Sequence, residues 1–119
     1  MTRQFVFGAD SRLKKRSEFR RVFEEGQKTV GRALIVWHRY DSARNGSRLG
    51  LSVSAKVGNA VKRNRLKRLL RESFRLRQRE LAQGCDVIAY PRPGCSWKTR
   101  IDAEADLLGL LRRTGRLRS

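Results

Sequence analysis

Apolar residues recur at helical spacing in two basic segments of the chain. In the first, Phe19, Val22 and Phe23 predict a helix that Gly26 should end. The second segment predicts a long helix that ends before residue 84. Its apolar face is formed by residues at i, i+3, i+4, i+7 and i+8: Leu66, Leu69, Leu70, Ser73 and Phe74. We expect this face to be part of the core.

Between and after these helices lie runs that are typical of strands. TVGRALIVWHRY and RLGLSVS flank the turn-forming DSARNGS, which predicts an antiparallel hairpin, and CDVIAY is a third, short and mostly apolar run. A last helix should run from about residue 97 to residue 113, because Thr99 and Asp102 have the spacing of a capping box. The predicted order is α-β-β-α-β-α, an α+β sandwich of one small sheet with helices.

The run RLGLSVS has two different faces. Leu49, Leu51 and Val53 alternate with small or polar residues, among them Gly50, Ser52 and Ser54. The face of small residues would let a ligand approach the strand backbone closely.

The chain of 119 residues fits one domain, with an irregular lead-in over residues 1–10 and a basic tail at 114–119 that is a candidate for disorder. Its net charge of +18 favours a polyanionic partner, above all nucleic acid. A membrane surface is a weaker candidate, because no stretch is both rich in lysine and broadly apolar. Without a secretory or membrane-spanning run, we expect a soluble cytoplasmic protein whose two cysteines are free thiols.

The long helix carries a cationic stripe opposite its apolar face. Asn64, Arg68, Arg71 and Arg75 fall at i, i+4, i+7 and i+11, a line about 16 Å long. Arg65 and Lys67 flank this line. An ordinary solvated helix face is the alternative, but so one-sided a charge favours a surface for RNA phosphates.

No catalytic centre is evident in the sequence. Asp102, Glu104 and Asp106 begin a helix, where acidic residues favour the dipole, so a metal site is the less favoured interpretation. His38 has no nearby partner for a proton relay, and VGNAVKRN lacks the spacing of a phosphate loop. The polypeptide alone is therefore expected to be inactive in phosphodiester cleavage.

The stretch RLGLSVSAKVGNAVKRNRLKRLLRESFR closely resembles that of bacterial ribonuclease P protein components, whose RNR motif corresponds to Arg63-Asn64-Arg65. The resemblance extends from RLKKRSEFRRVF to Asp86-Val87 and Pro91-Arg92, nearly the whole chain. One departure is Ala55, where the family usually has a lysine before Lys56. The resemblance also implies a left-handed crossover from the second strand through the RNR helix to the next strand, against the usual hand.

The resemblance implies the protein subunit of an RNA-based endonuclease that removes the 5′ leader from precursor tRNA. Its catalytic RNA would hold most of the Mg²⁺. The surface implied for that RNA comprises Lys56, Lys62, Arg63, Asn64, Arg65, Lys67, Arg68, Arg71 and Arg75. A cleft implied for the single-stranded leader comprises Phe19, Phe23, Trp37, Ser52 and Ser54.

Alternatives remain open from the residues themselves. Without the resemblance, Phe19 and Phe23, at i and i+4, would be interpreted as core residues that pack a helix on the sheet, and Trp37 is ambiguous in the same way. A ribosomal or other structural RNA-binding protein would share the charge and the fold class. A DNA-binding module is less favoured, because no helix-turn-helix partner precedes the basic helix.

Overall fold

A computed structural model describes residues 12–41, 46–81 and 84–115. The predicted lead-in lies outside these ranges, as do residues 116–119 of the predicted tail. Three helices and four strands follow one another in the order α1 (Arg16–Glu25), β1 (Gln27–Val30), β2 (Leu34–Tyr40), β3 (Arg48–Leu51), α2 (Ala60–Arg77), β4 (Cys85–Pro91) and α3 (Arg100–Arg113). The predicted α+β class is confirmed.

The strands form one mixed sheet in the order β1-β2-β4-β3. β2 pairs antiparallel with both β1 and β4, whereas β3 pairs parallel with β4. The β3-α2-β4 connection is thus a crossover between neighbouring parallel strands. Its left hand stays a prediction from the resemblance.

The prediction of a hairpin between TVGRALIVWHRY and RLGLSVS is wrong. TVGRALIVWHRY contains two strands instead of one, because the chain turns at residues 31–33, where the Gly31 amide donates to the Leu34 carbonyl at 2.8 Å. The true hairpin is therefore β1-β2. β4, which is buried almost along its whole length, takes the place beside β2 that β3 was expected to occupy. A strand that is apolar on both faces is stabilised at the centre of a sheet, and the short β3 lies at the edge.

Helices cover both faces of this sheet. The larger core cluster joins Leu34, Val36 and Val87 of the sheet to α2 and α3, and includes Leu70 and Leu107. A smaller cluster on the opposite face joins Leu13, Val22 and Ile88, with Phe19 and Trp37 packed against it. α2 and α1 thus lie on opposite sides of the sheet.

Gly26 ends α1 as the sequence predicts, but for a different reason than a left-handed turn. Its backbone is extended, and a Cβ there would lie 2.5 Å from the carbonyl oxygens of Val22 and His38. No side chain fits between helix and strand at this point, so only glycine allows the chain to turn directly from α1 into β1.

Candidate nucleic-acid interface

α2 is capped and oriented by residues at its start. The Asn59 side chain accepts a hydrogen bond from the Lys62 amide at 2.9 Å, which is the role of an N-cap residue. The predicted apolar face is confirmed, since all five of its residues are buried: Leu66, Leu69, Leu70, Ser73 and Phe74. The cationic stripe therefore points away from the sheet.

The stripe is partly free and partly occupied. Asn64, Arg68 and Arg71 are exposed, and within the described ranges no ion pair involves Arg68 or Arg71. Arg75 pairs with Glu72 at 3.0 Å on the surface, a contact of small energetic value. Of the neighbouring cations, Lys56 is exposed on the short helical turn before α2, while Lys62, Arg63 and Lys67 are half-buried.

Arg65, the second arginine of the RNR motif, makes an internal contact. Its Nη1 donates to the Trp97 carbonyl at 2.8 Å, and the Trp97 indole donates to Asp106 at 2.6 Å. This chain of bonds ties α2 to the loop before α3. Part of the guanidinium is thereby used in holding the fold, which residue spacing alone did not indicate.

On the other face of the sheet, α1 crosses from β3 to β2. Near its start the ring of Phe19 lies over Gly50, where a Cβ would stand 2.8 Å from two ring carbons. Phe19 is half-buried in the smaller cluster. The interpretation of this residue as part of the core thus has direct support.

Phe23 differs from Phe19 in its exposure. It is 41% exposed, and its ring meets that of Trp37 edge-on, with centroids 5.0 Å apart and an interplanar angle of 80°. The ring of Tyr90 also meets that of Trp37 edge-on, with centroids 6.1 Å apart and an interplanar angle of 79°. Phe23, Trp37 and Tyr90 form a continuous aromatic surface beside α1, called here the aromatic face.

Sequence reasoning missed Tyr90. The alternation in CDVIAY places Ile88 and Tyr90 on the same side of β4, and the strand register sets Ile35 opposite Tyr90. The position of Tyr90 near Trp37 follows only when β4 is known to pair with β2. Because the sequence pattern assigned no partner strand to β4, its aromatic residue was not connected with Trp37.

The two serines of the predicted cleft lie at the end of β3. Both are half-buried; the Ser52 amide donates to the Ala89 carbonyl at 3.0 Å, and the Ser54 hydroxyl accepts from the Lys56 amide at 3.0 Å. Ser54 therefore caps the turn that leads into α2. Among the described residues, the Ser52 hydroxyl makes no comparable capping hydrogen bond.

An ion-pair network fixes α1 on the sheet. Arg48 bonds both Asp86 and Glu18 through its guanidinium, with Nη1 2.7 Å from a Glu18 oxygen. The amides of Lys15 and Lys14 also donate to Glu18, and together with Arg48 they lower the pKa of its carboxyl from 4.5 to about 2. This anchor sets where Phe19 and Phe23 stand relative to the strands.

The acidic residues of α3 are held by bonds within the fold. Asp102 accepts from the Thr99 amide in the predicted capping box, Glu104 pairs with Arg77 and Arg100, and Asp106 accepts from Trp97. Over the described ranges no group of three His, Cys, Asp or Glu side chains could hold a metal ion. His38 is buried on β2, and Cys85 and Cys95 are buried free thiols, with burial raising the pKa of the Cys95 thiol.

The fold and these surfaces define a small, strongly basic α+β protein with a cationic helix on one side of a mixed sheet and an aromatic face on the other. α2 follows strand β3 and a single helical turn, so it is not the second helix of a helix-turn-helix. No helix in the described part of the chain is long and apolar enough to cross a membrane.

Comparison with known proteins narrows this class to one family. The family model for ribonuclease P matches residues 7–115. The ribonuclease P protein component of Bacillus cereus (strain Q1) is 36% identical over 104 residues, covering 87% of this chain and 90% of its own. That of Alkaliphilus metalliredigens is 35% identical over 105 residues, covering 88% and 94%.

Solved structures agree with the sequence relatives. The RNase P protein of Staphylococcus aureus superposes with a TM-score of 0.78 at 31% identity, over 87% of this chain and 94% of its own. The RNase P protein of Thermotoga maritima gives 0.77 at 34% identity, over 86% and 96%. This chain belongs to the family of ribonuclease P protein components.

Proposed function

We propose that this chain binds the catalytic RNA of ribonuclease P through α2 and the 5′ leader of precursor tRNA through the aromatic face. The observation that supports this most strongly is the separation of the two surfaces by the sheet. The stripe centred on Arg68 and Arg71 and the rings of Phe23 and Trp37 lie on opposite sides of the molecule. One protein can therefore contact two RNA segments at the same time.

The stripe fits the backbone of a folded RNA. Its exposed guanidinium groups stand along one helix at spacings that can follow phosphates, and such contacts give affinity without reading a sequence. Among the residues predicted to bind this RNA, we expect the exposed ones, Lys56, Asn64, Arg68 and Arg71, to contribute most. The half-buried ones, Lys62, Arg63, Lys67 and Arg75, have less freedom to reach a phosphate.

The aromatic face fits a single strand of variable sequence. Every base has a π-face, so stacking on Phe23, Trp37 and Tyr90 tolerates any leader. Of the small residues on the strand, Gly50 is covered by the Phe19 ring, whereas the half-buried Ser52 remains a candidate contact for the leader. Phe19 would serve this cleft mainly by supporting α1 from below.

We propose that the RNA catalyses the cleavage, with Mg²⁺ held mainly by RNA phosphates. The acids of α3 are already bonded within the fold and do not form a site for the ion. The chain would contribute positive charge, which lowers the repulsion between two polyanions and so favours binding of substrate and metal. We place this activity in the cytoplasm, where precursor tRNA is processed.

Reconstitution tests the proposal. Precursor tRNA labelled at its 5′ end is incubated with purified protein, with ribonuclease P RNA, and with both at low Mg²⁺. We expect release of the intact leader by the complex at a rate well above that of the RNA alone, and no cleavage by the protein alone. Nuclease-free protein that cuts at the mature 5′ end by itself, or that leaves the rate of the RNA unchanged, would overturn it.

A further inference from the structure

Lys28 lies over the face of Trp37. The two residues are direct partners across the β1-β2 ladder, and the Lys28 ammonium nitrogen stands 5.5 Å from the centroid of the indole ring. This distance is typical of a cation–π contact. β1 is one of the two edge strands of the sheet, and the Lys28 side chain is exposed.

The other close neighbours of Trp37 are held within the fold. Phe23 and Tyr90 meet its ring at nearly right angles, so neither lies parallel to it as a stacked base would. On the β4 side its cross-strand partner is Ile88, which is fully buried. Lys28, by contrast, is an exposed and flexible side chain that can leave the ring.

A base that stacks on the face of Trp37 under Lys28 must take the position of the Lys28 ammonium. The contact that is lost is a weak one, since an exposed cation over an indole is solvated on its outer side. The nucleotide brings its own negative charge, and a lysine reaching a phosphate makes a charge-assisted hydrogen bond. The exchange therefore replaces one ammonium contact with a stacked base and a paired phosphate.

We propose that Lys28 is a phosphate-binding residue of the aromatic face, which covers Trp37 in the free protein and moves to the phosphodiester beside the base that stacks there. The inference rests on the proposed function, because it assigns a contact to the single-stranded leader. It adds a cationic group to a surface otherwise described by its rings. It also limits the position of the strand, since the phosphate that Lys28 reaches must be one of the two that flank the stacked base.

The test uses the complex with ribonuclease P RNA and compares precursor tRNA with its leader against leaderless tRNA. Lys28→Met should weaken binding of the leader-bearing substrate by roughly 2- to 5-fold, the range for an exposed charge pair, while leaderless tRNA is unaffected. Loss of one phosphate contact should also make the fall in affinity between 50 and 200 mM salt roughly 3-fold smaller. Lys28→Arg should keep both properties.

Lys98→Met is the matched control. Lys98 is exposed before α3, away from the aromatic face, and the substitution removes the same charge. It should leave the preference for the leader unchanged. Thermal melting of both variants verifies the fold.

A walk of single uncharged methylphosphonate linkages along the leader locates the contact. One linkage should weaken binding to the unaltered protein and have no further effect on Lys28→Met. If Lys28→Met binds the leader as tightly as the unaltered protein, or more tightly, the lysine only covers Trp37 and the inference is wrong. Phe23→Ala then distinguishes the failure of this inference from the failure of the proposed function. If Phe23→Ala loses the preference for leader-bearing tRNA, only the role of Lys28 is wrong. If Phe23→Ala also keeps that preference, the proposed leader site itself is wrong.

Discussion

Arg48 holds the carboxylate of Asp86 with two parallel hydrogen bonds, from Nε at 3.0 Å and from Nη2 at 2.9 Å. Its remaining Nη1 reaches Glu18 of α1. Asp86 is buried, whereas Arg48 is half-buried. One guanidinium therefore joins β3, β4 and the helix that carries Phe19 and Phe23, and the planar fork of arginine is suited to this arrangement where lysine is not.

We expect Arg48→Met to lower the free energy of unfolding by about 3 kcal/mol, because it leaves the buried Asp86 carboxylate without its main counter-charge. Urea unfolding at neutral pH measures the loss. Arg39→Met is the control, since its partner Glu25 is 56% exposed and that bond should contribute less than about 1 kcal/mol. Equal losses for the two variants would contradict the assigned importance of the Arg48–Asp86 pair.

The lowered pKa of Glu18 predicts a pH dependence of stability. Its carboxyl has a pKa of about 2 in the folded protein against 4.5 as the ordinary value. The stabilisation is thus fully present above pH 4.5 and is lost as the pH falls towards 2. Glu18→Gln should be less stable than the unaltered protein at neutral pH, with a difference that shrinks over this range.

Urea unfolding of both proteins between pH 2 and 6 checks this expectation. Glu24→Gln, on the exposed side of the same helix, shows how much of any effect comes from the change in net charge alone. A stability difference between Glu18→Gln and the unaltered protein that stays constant from pH 5 to pH 2 would mean that the amides of Lys14 and Lys15 and the Arg48 guanidinium do not act on the Glu18 charge.

The helices were predictable because local signals define them. The apolar positions of α2, the capping box of Thr99 and Asp102, and the end of α1 at Gly26 each depend on residues a few positions apart. Strand order depends on contacts between distant residues, and here the composition of one turn led to the wrong prediction of a hairpin. DSARNGS has the composition of a hairpin turn, yet it connects strands that are separated in the sheet by β4.

The candidate site shows the same division. The resemblance implied Phe23 and Trp37, and the structure places their ring centroids 5.0 Å apart. Tyr90 and Lys28 join them only through the pairing of β2 with β4 and β1, which the sequence pattern did not predict. Likewise, helical spacing placed Arg65 beside Arg68, but the bond to the Trp97 carbonyl comes from a residue 32 positions away.

Arg65 and Arg68 should therefore differ when each is replaced by methionine. Arg65→Met loses a bond between a charged donor and a partly buried carbonyl, so we expect the free energy of unfolding to fall by about 1–2 kcal/mol. Arg68→Met should change it by less than about 0.5 kcal/mol, because the side chain is exposed. Binding of ribonuclease P RNA should show the reverse order, with Arg68→Met flattening the salt dependence by about one phosphate contact.

Filter binding across a range of salt concentrations, together with urea unfolding, measures both quantities on the same preparations. Arg68→Glu should weaken RNA binding further than Arg68→Met while the fold remains intact. If Arg65→Met keeps full stability and flattens the salt dependence as much as Arg68→Met, the guanidinium of Arg65 belongs to the RNA surface and its bond to Trp97 is incidental.

Phe23→Ala tests the proposed leader site directly. Phe23 is 41% exposed and touches Trp37 by its edge, so its loss should remove one stacking partner, about 1–3 kcal/mol of binding free energy, from leader-bearing precursor tRNA. Leaderless tRNA and the catalytic RNA should bind as before.

Phe19→Ala is the informative comparison, because the half-buried Phe19 ring supports α1 over Gly50. We expect this substitution to lower the free energy of unfolding by about 3 kcal/mol and to impair every RNA contact together. Thermal melting and affinities for the two tRNA substrates distinguish the patterns. A Phe23→Ala protein with a lowered melting temperature and equal losses for both substrates would assign this ring to the core, and the aromatic face would then have no part in holding the leader.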